Sequence, residues 1–423
     1  MKEQSSFPPI RIIVVGCGGG RGAWFTRQLA RHPAYQVVAL VDRLPAAARL
    51  VAEGCGLGDA PIYAETAQAL ADVSCDAVLV ATPDGEHTAP VLAALALGKH
   101  VYVEKPLAIT WDDCQAIVRA DAEAGQRTMV GFNLRFAPLY RRLHELIADG
   151  KRSGDGKHSD GAIGRVLTIQ ADEFYYGGRT YFRRWNRLRR YSGGLWITKA
   201  SHDFDLLYWL AGAVPTRVSA SARLTHYVPR PEAGQRCRDC PIEAQCPDSY
   251  LRDPDVQSDF RRRLDAIREA AGWPPADLCL YNSDKDTFDH GIAQVEFAND
   301  VLATYTVNVV APFTDRRIRV GGSEGTLEGS LSSNELLLWR RRSVAGRHVL
   351  DPIDAPQRIP LTDALATGGH GGGDDFILDD FAAFVRGLPS QAIGPAEASV
   401  AIALGLAATR ASDSGQSVAV HLT

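Results

Sequence analysis

The chain has 423 residues, with 46 Lys plus Arg against 50 Asp plus Glu and a formal net charge of −4 at pH 7. Because the two signs nearly balance, we expect no nucleic-acid partner and no anionic membrane surface as a partner. The length predicts two or three domains. The first residues are polar, and every apolar stretch is much shorter than the roughly 20 residues that a bilayer span needs. Together these features predict a cytoplasmic location.

Short apolar segments alternate with amphipathic helical stretches over residues 1–132, which is the pattern of a parallel βαβ sheet. We therefore predict an N-terminal Rossmann domain with a doubly wound parallel sheet in this region. Its expected strands are Arg11–Val15, Val37–Val41, Ala77–Ala81, His100–Val103 and Thr128–Gly131.

The first predicted strand leads into a Gly-rich turn, Gly16-Cys-Gly-Gly-Gly-Arg-Gly22, and a helix is expected directly afterwards. Glycines let the backbone approach a pyrophosphate, which then sits on the free N–H groups of the helix N-terminus. Arg21 stands where the usual spacing has its third glycine, so either Gly22 serves through a longer turn or Arg21 covers a phosphate. A turn without any ligand is the remaining alternative. The residues predicted to bind the cofactor here are Gly16, Gly18, Gly19, Gly20, Arg21 and Gly22.

Asp42 closes the second predicted strand 20 residues after Gly22. An acidic side chain at this position accepts hydrogen bonds from the adenosine ribose and repels a 2′-phosphate. This favours NAD as the cofactor, with NADP as the alternative because the neighbouring Arg43 could reach a 2′-phosphate. Both residues are predicted to contact the cofactor.

From residue 133 onwards the pattern predicts an α+β domain over residues 133–423. A helix is expected near Pro138–Ala148, followed by an exposed polar loop at Gly150–Gly161. Strand-like segments between Val166 and Arg340 predict a large, mainly antiparallel open sheet with helices on one face. Residues 227–283 look like an inserted subdomain, and two helices, near 374–387 and 396–414, are expected at the end of the chain.

Five motifs carry a resemblance to a known family: Ala81-Thr-Pro-Asp-Gly-Glu-His87, Val103-Glu-Lys-Pro106, Gly131-Phe-Asn-Leu-Arg-Phe136, the segment 193–205 that contains His202, and Gly322-Ser-Glu-Gly-Thr-Leu-Glu328. On these motifs the sequence resembles the Gfo/Idh/MocA oxidoreductases, which include glucose–fructose oxidoreductase and inositol dehydrogenases. The resemblance covers the chain apart from the polar loop and the insert. It implies a nicotinamide cofactor facing a sugar, polyol or glycoside on the open sheet, and a homodimer or homotetramer.

Two residues are predicted to carry the proton chemistry. Lys105 follows a parallel strand at the sheet edge where ligands bind, so its ammonium can hydrogen-bond a substrate hydroxyl. By resemblance, Lys105 is the family's catalytic lysine and His202 its general acid/base. The alternatives are an exposed lysine at a strand end and a histidine that caps a helix or fills the core. The cofactor residues predicted beside them are Thr82, Pro83, His87, Glu104 and Lys105.

The predicted substrate contacts are Asn133, Arg135, Lys199 and Asp205, all in the two motifs that border the family's substrate site. Inositol-dehydrogenase-like members have an aspartate four residues before the histidine, where this chain has Thr198. Lys199 either contacts a substrate oxygen or pairs with Asp203. The Gly-rich loop 370–374 either reaches the cleft or is capped by its own aspartate.

Four of the eight cysteines fall within the insert: Cys237, Cys240, Cys246 and Cys279. Eight cysteines are too few for a disulfide scaffold, and clustered thiols in a reducing compartment favour a metal. We predict a structural Zn²⁺ site, with an iron–sulfur cluster as the second choice and free thiols or disulfides as the alternative.

The sequence thus predicts an oxidoreductase that transfers a hydride between NAD(P) and a hydroxyl carbon of a sugar, polyol or glycoside. A second hypothesis is a redox-neutral glycosidase or lyase, in which oxidation of one carbon acidifies its neighbour, a leaving group is eliminated and the hydride returns. A third is a non-catalytic protein that senses the dinucleotide, for which Thr198 is the only support.

Overall fold

A computed structural model describes residues 7–148, 161–343, 345–346, 348, 354–361 and 369–422. The predicted polar loop lies outside these ranges except for its last residue. Within the described ranges, every helix is too short or too polar to cross a bilayer.

The N-terminal sheet has six parallel strands in the order β3-β2-β1-β4-β5-β6. The strands are β1 Ile10–Val15, β2 Tyr35–Val41, β3 Ile62–Tyr63, β4 Ala77–Val80, β5 His100–Val103 and β6 Thr128–Val130. The helices are α1 Gly20–Leu29, α2 Pro45–Gly54, α3 Thr66–Asp72, α4 Thr88–Ala96 and α5 Trp111–Glu123. The predicted Rossmann sheet is confirmed. The edge strand β3 was missed because two residues are too few to leave a pattern.

The strand order reverses between β1 and β4, which opens a crevice at the carboxyl ends of the strands. The Gly-rich turn follows β1, while the two motifs at 81–87 and 103–106 follow β4 and β5. Three predicted parts of the site therefore meet at one sheet edge.

The second sheet has nine strands in the order β14-β13-β12-β11-β7-β10-β9-β8-β15. Its strands are β7 Val166–Phe174, β8 Pro215–Arg223, β9 His290–Phe297, β10 Leu302–Asn308, β11 Asp315–Gly322, β12 Gly325–Ser330, β13 Glu335–Arg340, β14 Gln357–Arg358 and β15 Val418–Ala419. Only the β7–β10 pairing is parallel among the pairs in the described residues. The predicted open, mainly antiparallel sheet is confirmed.

Helices cover one face of this sheet, and residues along its strands alternate between buried and exposed. The helices of this half of the chain, of which α11 packs elsewhere, are α6 Pro138–Ala148, α7 Arg179–Arg183, α8 Arg189–Ser192, α9 Leu195–Thr198, α10 Ser201–Ala211, α11 Asp259–Ala270, α12 Gly373–Val385 and α13 Pro395–Ser414. Apolar side chains remain on the uncovered face at Leu167, Ile292 and Leu302.

The last two helices return to the Rossmann domain. The ring of Phe381 on α12 packs edge-on against Tyr102 and is stacked 6.5 Å from Tyr35. The Val130 N–H at the end of β6 donates to the Ile393 carbonyl at 2.8 Å. The two sheets are therefore joined through a shared core, which fixes the cleft between them.

The insert 227–283 carries α11 and several short 3₁₀ turns. Helix α11 begins after Ser258, whose hydroxyl accepts a hydrogen bond from the Arg261 N–H. Its Leu264 is buried with Ala47 and Leu50 of α2. The insert therefore packs against the N-terminal domain, beside the Gly-rich turn.

Candidate functional site

The Gly-rich turn has the tight geometry that a dinucleotide site needs. A Cβ at Gly22 would overlap the Gly16 carbonyl oxygen, so only glycine allows α1 to start this close to β1. The Asp42 carboxylate reaches the turn, accepting hydrogen bonds from the Gly18 N–H at 2.7 Å and the Leu44 N–H at 2.9 Å. The turn and the acid at the end of β2 are thus brought together as the sequence predicts.

The Arg21 guanidinium is held by two carboxylates, those of Glu104 at 3.0 Å and Asp374 at 2.9 Å, and it lies over the Trp24 ring. Burial alone would lower its pKa, but the two carboxylates outweigh burial and raise it. The guanidinium of Arg21 is therefore engaged by carboxylates of the protein itself. Of the two readings of the turn, the geometry favours Gly22 as the third glycine over a phosphate contact from Arg21.

His87 ties the end of β4 to the Lys105–Pro106 segment. Its ring nitrogens lie 2.8 Å from the Pro106 carbonyl oxygen and 3.0 Å from the Thr82 carbonyl oxygen. Burial lowers the pKa of His87. We conclude that His87 positions this segment, while the Thr82 hydroxyl is buried without a protein partner among the described residues.

Lys105 lies in the cleft, and its Nζ donates to the Thr198 carbonyl at 2.7 Å. Desolvation lowers the pKa of Lys105, while the carboxylates of Asp84 and Glu104 oppose this change. Asp84 is buried, and desolvation raises its pKa to about 7 against the opposing effect of Lys105. The nearby Thr198 side chain opposes this rise, and one buried oxygen of the Asp84 carboxyl group has no hydrogen-bond partner among the described residues. The Asp84 carboxyl group, which follows β4, therefore lies near both Lys105 and Thr198.

Sequence reasoning missed Asp84 as a site residue. It lies within the motif 81–87, directly after a buried strand, and that position was a usable signal. Its proximity to Lys105 depends on how the neighbouring strand is placed, which sequence spacing does not reveal.

His202 is buried at the start of α10, and its Nδ1 has no hydrogen-bond partner within the described residues. Burial lowers its pKa well below the ordinary value, and the nearby charge of Lys105 lowers it further. The imidazole is therefore neutral at pH 7. The ring of His370 lies 5.2 Å away, and its Nδ1 is 3.0 Å from Asp374 Oδ2. The Gly-rich loop 370–374 thus reaches His202.

Three of the predicted substrate residues are held by other side chains. Asn133 donates to Asp374 Oδ1 at 2.6 Å, and Arg135 makes two hydrogen bonds to Asp205 at 2.7 and 2.8 Å. Arg135 also pairs with Glu397. Arg135 and Asp205 thus neutralise each other in a buried pair, which favours a structural role over the predicted substrate contacts.

Lys199 pairs with Glu173 at 2.7 Å rather than with Asp203, which corrects one of the two expectations for it. Asp203 instead binds Arg316 at 3.1 Å and accepts from the Tyr305 hydroxyl at 2.9 Å. Arg316 also pairs with Glu173 at 2.7 Å. Two carboxylates and two cations therefore form a buried cluster behind the cleft.

The Lys199 ammonium also lies 3.5 Å from the centre of the Tyr175 ring. The Tyr181 ring lies edge-on to that of Tyr175, with 6.3 Å between the ring centres. Both rings thus border the Lys199 side of the cleft.

All four cysteines of the insert are free thiols that line one cavity of about 20 Å³. Backbone N–H groups face two of the sulfurs, from Gly234 to Cys240 at 3.3 Å and from Tyr250 to Cys237 at 3.4 Å. In the part of the chain that is described, however, no three His, Cys, Asp or Glu side chains have the arrangement of a metal site. The predicted zinc site is therefore not shown.

Two family models match the chain. An oxidoreductase family with an NAD-binding Rossmann fold matches residues 10–132, and the C-terminal alpha/beta domain of an oxidoreductase family matches residues 159–420.

Among curated relatives, the Bacillus subtilis (strain 168) protein YteT, described as an oxidoreductase, is 30% identical over 327 residues, covering 72% of this chain and 71% of YteT. The scyllo-inositol 2-dehydrogenase (NAD(+)) of the same organism is 31% identical over 219 residues, covering 51% of this chain and 58% of that enzyme. Among solved structures, a levoglucosan dehydrogenase in complex with NADH and levoglucosan has a TM-score of 0.72 at 18% identity, covering 98% of this chain and all of that one. This last likeness shows the fold.

Proposed function

The chain belongs to the Gfo/Idh/MocA oxidoreductase family, and from that premise we propose that it transfers a hydride between NAD and a hydroxyl carbon of a sugar or polyol. The observation that carries the proposal is the meeting of Lys105, Asp84 and His202 in one cleft, at the sheet edge that bears the Gly-rich turn. Inositol and levoglucosan dehydrogenases among the similar proteins support the substrate class.

The chain's own groups divide the work in the cleft. The Lys105 ammonium, desolvated and held at the Thr198 carbonyl, hydrogen-bonds the reacting hydroxyl and favours loss of its proton. His202 is neutral, so it can accept that proton. Inositol-dehydrogenase-like members of the family have an aspartate at the position of Thr198. Here Asp84, near Lys105, supplies that carboxyl group instead. Lys199, whose ammonium lies against the Tyr175 ring, remains a proposed substrate contact.

The turn and the acid after β2 fit a dinucleotide, because the helix start is tight at Gly22 and Asp42 faces Gly18. We propose that the residues that hold it are Gly16, Gly18, Gly19, Gly20, Gly22, Asp42, Arg43, Thr82, Pro83 and Glu104. Bound there, NAD supplies the hydride acceptor. Asp42 favours NAD over NADP because a 2′-phosphate would lie against a carboxylate.

The test is a panel of sugars, polyols and glycosides with NAD and NADP, followed by absorbance at 340 nm. We expect turnover that Lys105→Ala lowers by about 100- to 10,000-fold. Lys99→Ala is the matched control, because Lys99 lies at the opposite end of β5 and binds the Cys75 carbonyl. Equal rates in wild type and Lys105→Ala would refute the assignment.

A second candidate is the redox-neutral glycosidase or lyase. The observation that favours it is the packing of α11 against α2 beside the turn, which supports retention of the cofactor through the cycle. Glycoside cleavage without net formation of NADH would identify this activity, and net NADH would exclude it.

We also propose that the four insert cysteines hold a structural Zn²⁺, with an iron–sulfur cluster as the second choice. Their shared cavity supports this, as do the N–H groups that face Cys237 and Cys240. Elemental analysis is the test: we expect one zinc per chain, absent in Cys246→Ser and retained in Cys55→Ser. A metal-free wild type purified without chelator would refute the site.

Three broader proposals complete the account. Residues 1–132 and 133–423 form the two domains, and the protein acts in the cytoplasm. Two or four copies assemble through the uncovered face of the large sheet, supported by the exposed side chains of Leu167, Ile292 and Leu302. Sedimentation velocity with Ile292→Lys tests the assembly, and an unchanged oligomer would refute this interface.

A further inference from the structure

An arginine of the insert lies on the Gly-rich turn. Leu264 fixes α11 against α2, and Arg268, one helical turn later, shares that face. Its Nη2 is 3.4 Å from the Gly18 carbonyl oxygen, and a Cβ at Gly19 would overlap the guanidinium. The insert thus reaches the backbone that is proposed to bind the cofactor pyrophosphate.

The charge of Arg268 is not balanced by its surroundings. Burial lowers its pKa, and the nearby cations Arg261 and Arg184 lower it further, against weaker opposition from Asp265 and Asp42. Arg261 already binds Asp265 at 3.0 Å. The hydrogen bond from Arg268 to the Gly18 carbonyl is long, so the guanidinium keeps N–H donors for a stronger acceptor. An anion above the turn would satisfy both the charge and the donors.

The turn also keeps space for such an anion. A Cβ at Gly20 would meet no atom within 4 Å, whereas the Gly19 side is covered by Arg268. Beyond Arg268, the Trp273 ring lies 5.5 Å from the Arg43 guanidinium and 5.7 Å from that of Arg268. Because Arg43 follows the proposed ribose ligand, Trp273 flanks the adenosine end of the groove.

We propose that the insert is a clamp on the cofactor, in which Arg268 binds the pyrophosphate opposite the start of α1 and Trp273 covers the adenosine. A planar guanidinium suits this role because it can donate two hydrogen bonds to one phosphate group. The clamp rests on the proposed function, since it needs a dinucleotide at the turn. It adds a binding element that lies outside the Rossmann domain.

The base of the clamp is held by the segment that carries the cysteines. Arg236 pairs with Glu269 at 2.8 Å and with Asp277 at 2.7 Å, and Glu269 is the neighbour of Arg268 on α11. The backbone of Arg236 also pairs with Leu278 in a β-bridge. These contacts fix the end of α11 from which Arg268 extends.

The test measures binding rather than turnover. Cofactor-free wild type, Arg268→Ala and Arg262→Ala are titrated with NADH and with ADP-ribose, which keeps the pyrophosphate and lacks nicotinamide. Loss of a charged hydrogen bond should weaken Arg268→Ala about 10- to 100-fold for both ligands and speed NADH dissociation. Arg262→Ala is the matched control, because Arg262 is exposed on the same helix and pairs with Asp259 at 3.7 Å, so its affinity should match wild type.

Each outcome decides one claim. Equal or tighter binding by Arg268→Ala overturns the clamp while leaving the proposed function standing. A wild type that binds neither NAD, NADP nor ADP-ribose refutes the proposed function instead. Should the alanine variant fail to fold by circular dichroism, Arg268→Gln keeps the bulk of the side chain without its charge. Wild-type affinity in that variant equally overturns the clamp.

Discussion

The two ends of the cleft are built in opposite ways. At the proposed adenosine end, most of the binding residues are consecutive residues of one turn. The charge of the additional cation, Arg268, is only weakly opposed by nearby carboxylates. At the reaction end, Lys105, Asp84 and His202 come from separate segments. Asp84 and His202 are buried, Lys105 is partly buried, and the charge of Lys105 lowers the pKa of both other groups. On the proposed function, ligand binding depends on accessible backbone and a weakly opposed charge, whereas the chemistry depends on desolvated groups that act on one another through Lys105.

The largest effect should come from breaking the reaction end at His202. His202→Ala removes the proposed proton acceptor, so kcat/KM should fall by about 100- to 10,000-fold with the sugar or polyol found in the panel. NADH affinity should stay at the wild-type value, because the adenosine end is untouched. His32→Ala, at a partly buried histidine that contacts Asp379, serves as the control. A drop in NADH affinity that accounts for the whole loss would show that the two ends are not separate.

The next effect concerns the buried charge cluster behind the cleft. Arg316→Met leaves the carboxylates of Glu173 and Asp203 buried with one cation fewer, which should lower the free energy of unfolding by about 3–5 kcal/mol. Arg319→Met is the control on the same strand, where an exposed pair with Glu328 is worth about 0–1 kcal/mol. Urea unfolding of both variants measures the difference. Equal losses would mean that burial of the cluster has no energetic consequence.

The third effect is a change in how stability depends on pH. Burial raises the pKa of Asp84 to about 7 from the ordinary value of 3.8, so the folded protein keeps a proton that the unfolded chain loses between these values. The contribution of Asp84 to stability therefore falls as pH rises from 4 to 7. In Asp84→Asn this fall should disappear.

Thermal unfolding of the two proteins between pH 4 and 8 measures it, with Glu86→Gln as the control in the same short 3₁₀ turn. The melting temperature of Asp84→Asn should rise relative to wild type up to pH 7 and stay level above. A constant difference across the range would contradict the shifted pKa.

The same contrast explains what the sequence could predict. The Gly-rich turn, Asp42 and Lys105 were predictable because each depends on residues near it in the chain and on the end of a parallel strand. The pairing of Arg135 with Asp205 was not, since spacing says nothing about which charges neutralise each other in the folded state. The contact of Arg268 with Gly18 joins residues 250 positions apart. It depends on how the insert packs against α2.

The fold could be predicted from the sequence more directly than the site. Apolar runs indicate buried parallel strands, and alternation of apolar and polar residues indicates a sheet that is covered on one face. The errors in the predicted fold lie at short elements such as Ile62–Tyr63, where two residues carry no periodicity. The predicted Lys199–Asp203 pair had the correct spacing for one helix. However, α9 ends at Thr198 and α10 begins at Ser201, so Lys199 turns toward Glu173 instead.

The most direct test of the account is a crystal structure of the chain with NAD. We predict the pyrophosphate on the turn at Gly18–Gly20 beneath Arg268, with the nicotinamide ring facing Lys105 and His202. A nicotinamide ring directed away from these two residues, or a dinucleotide bound elsewhere on the chain, would contradict the account.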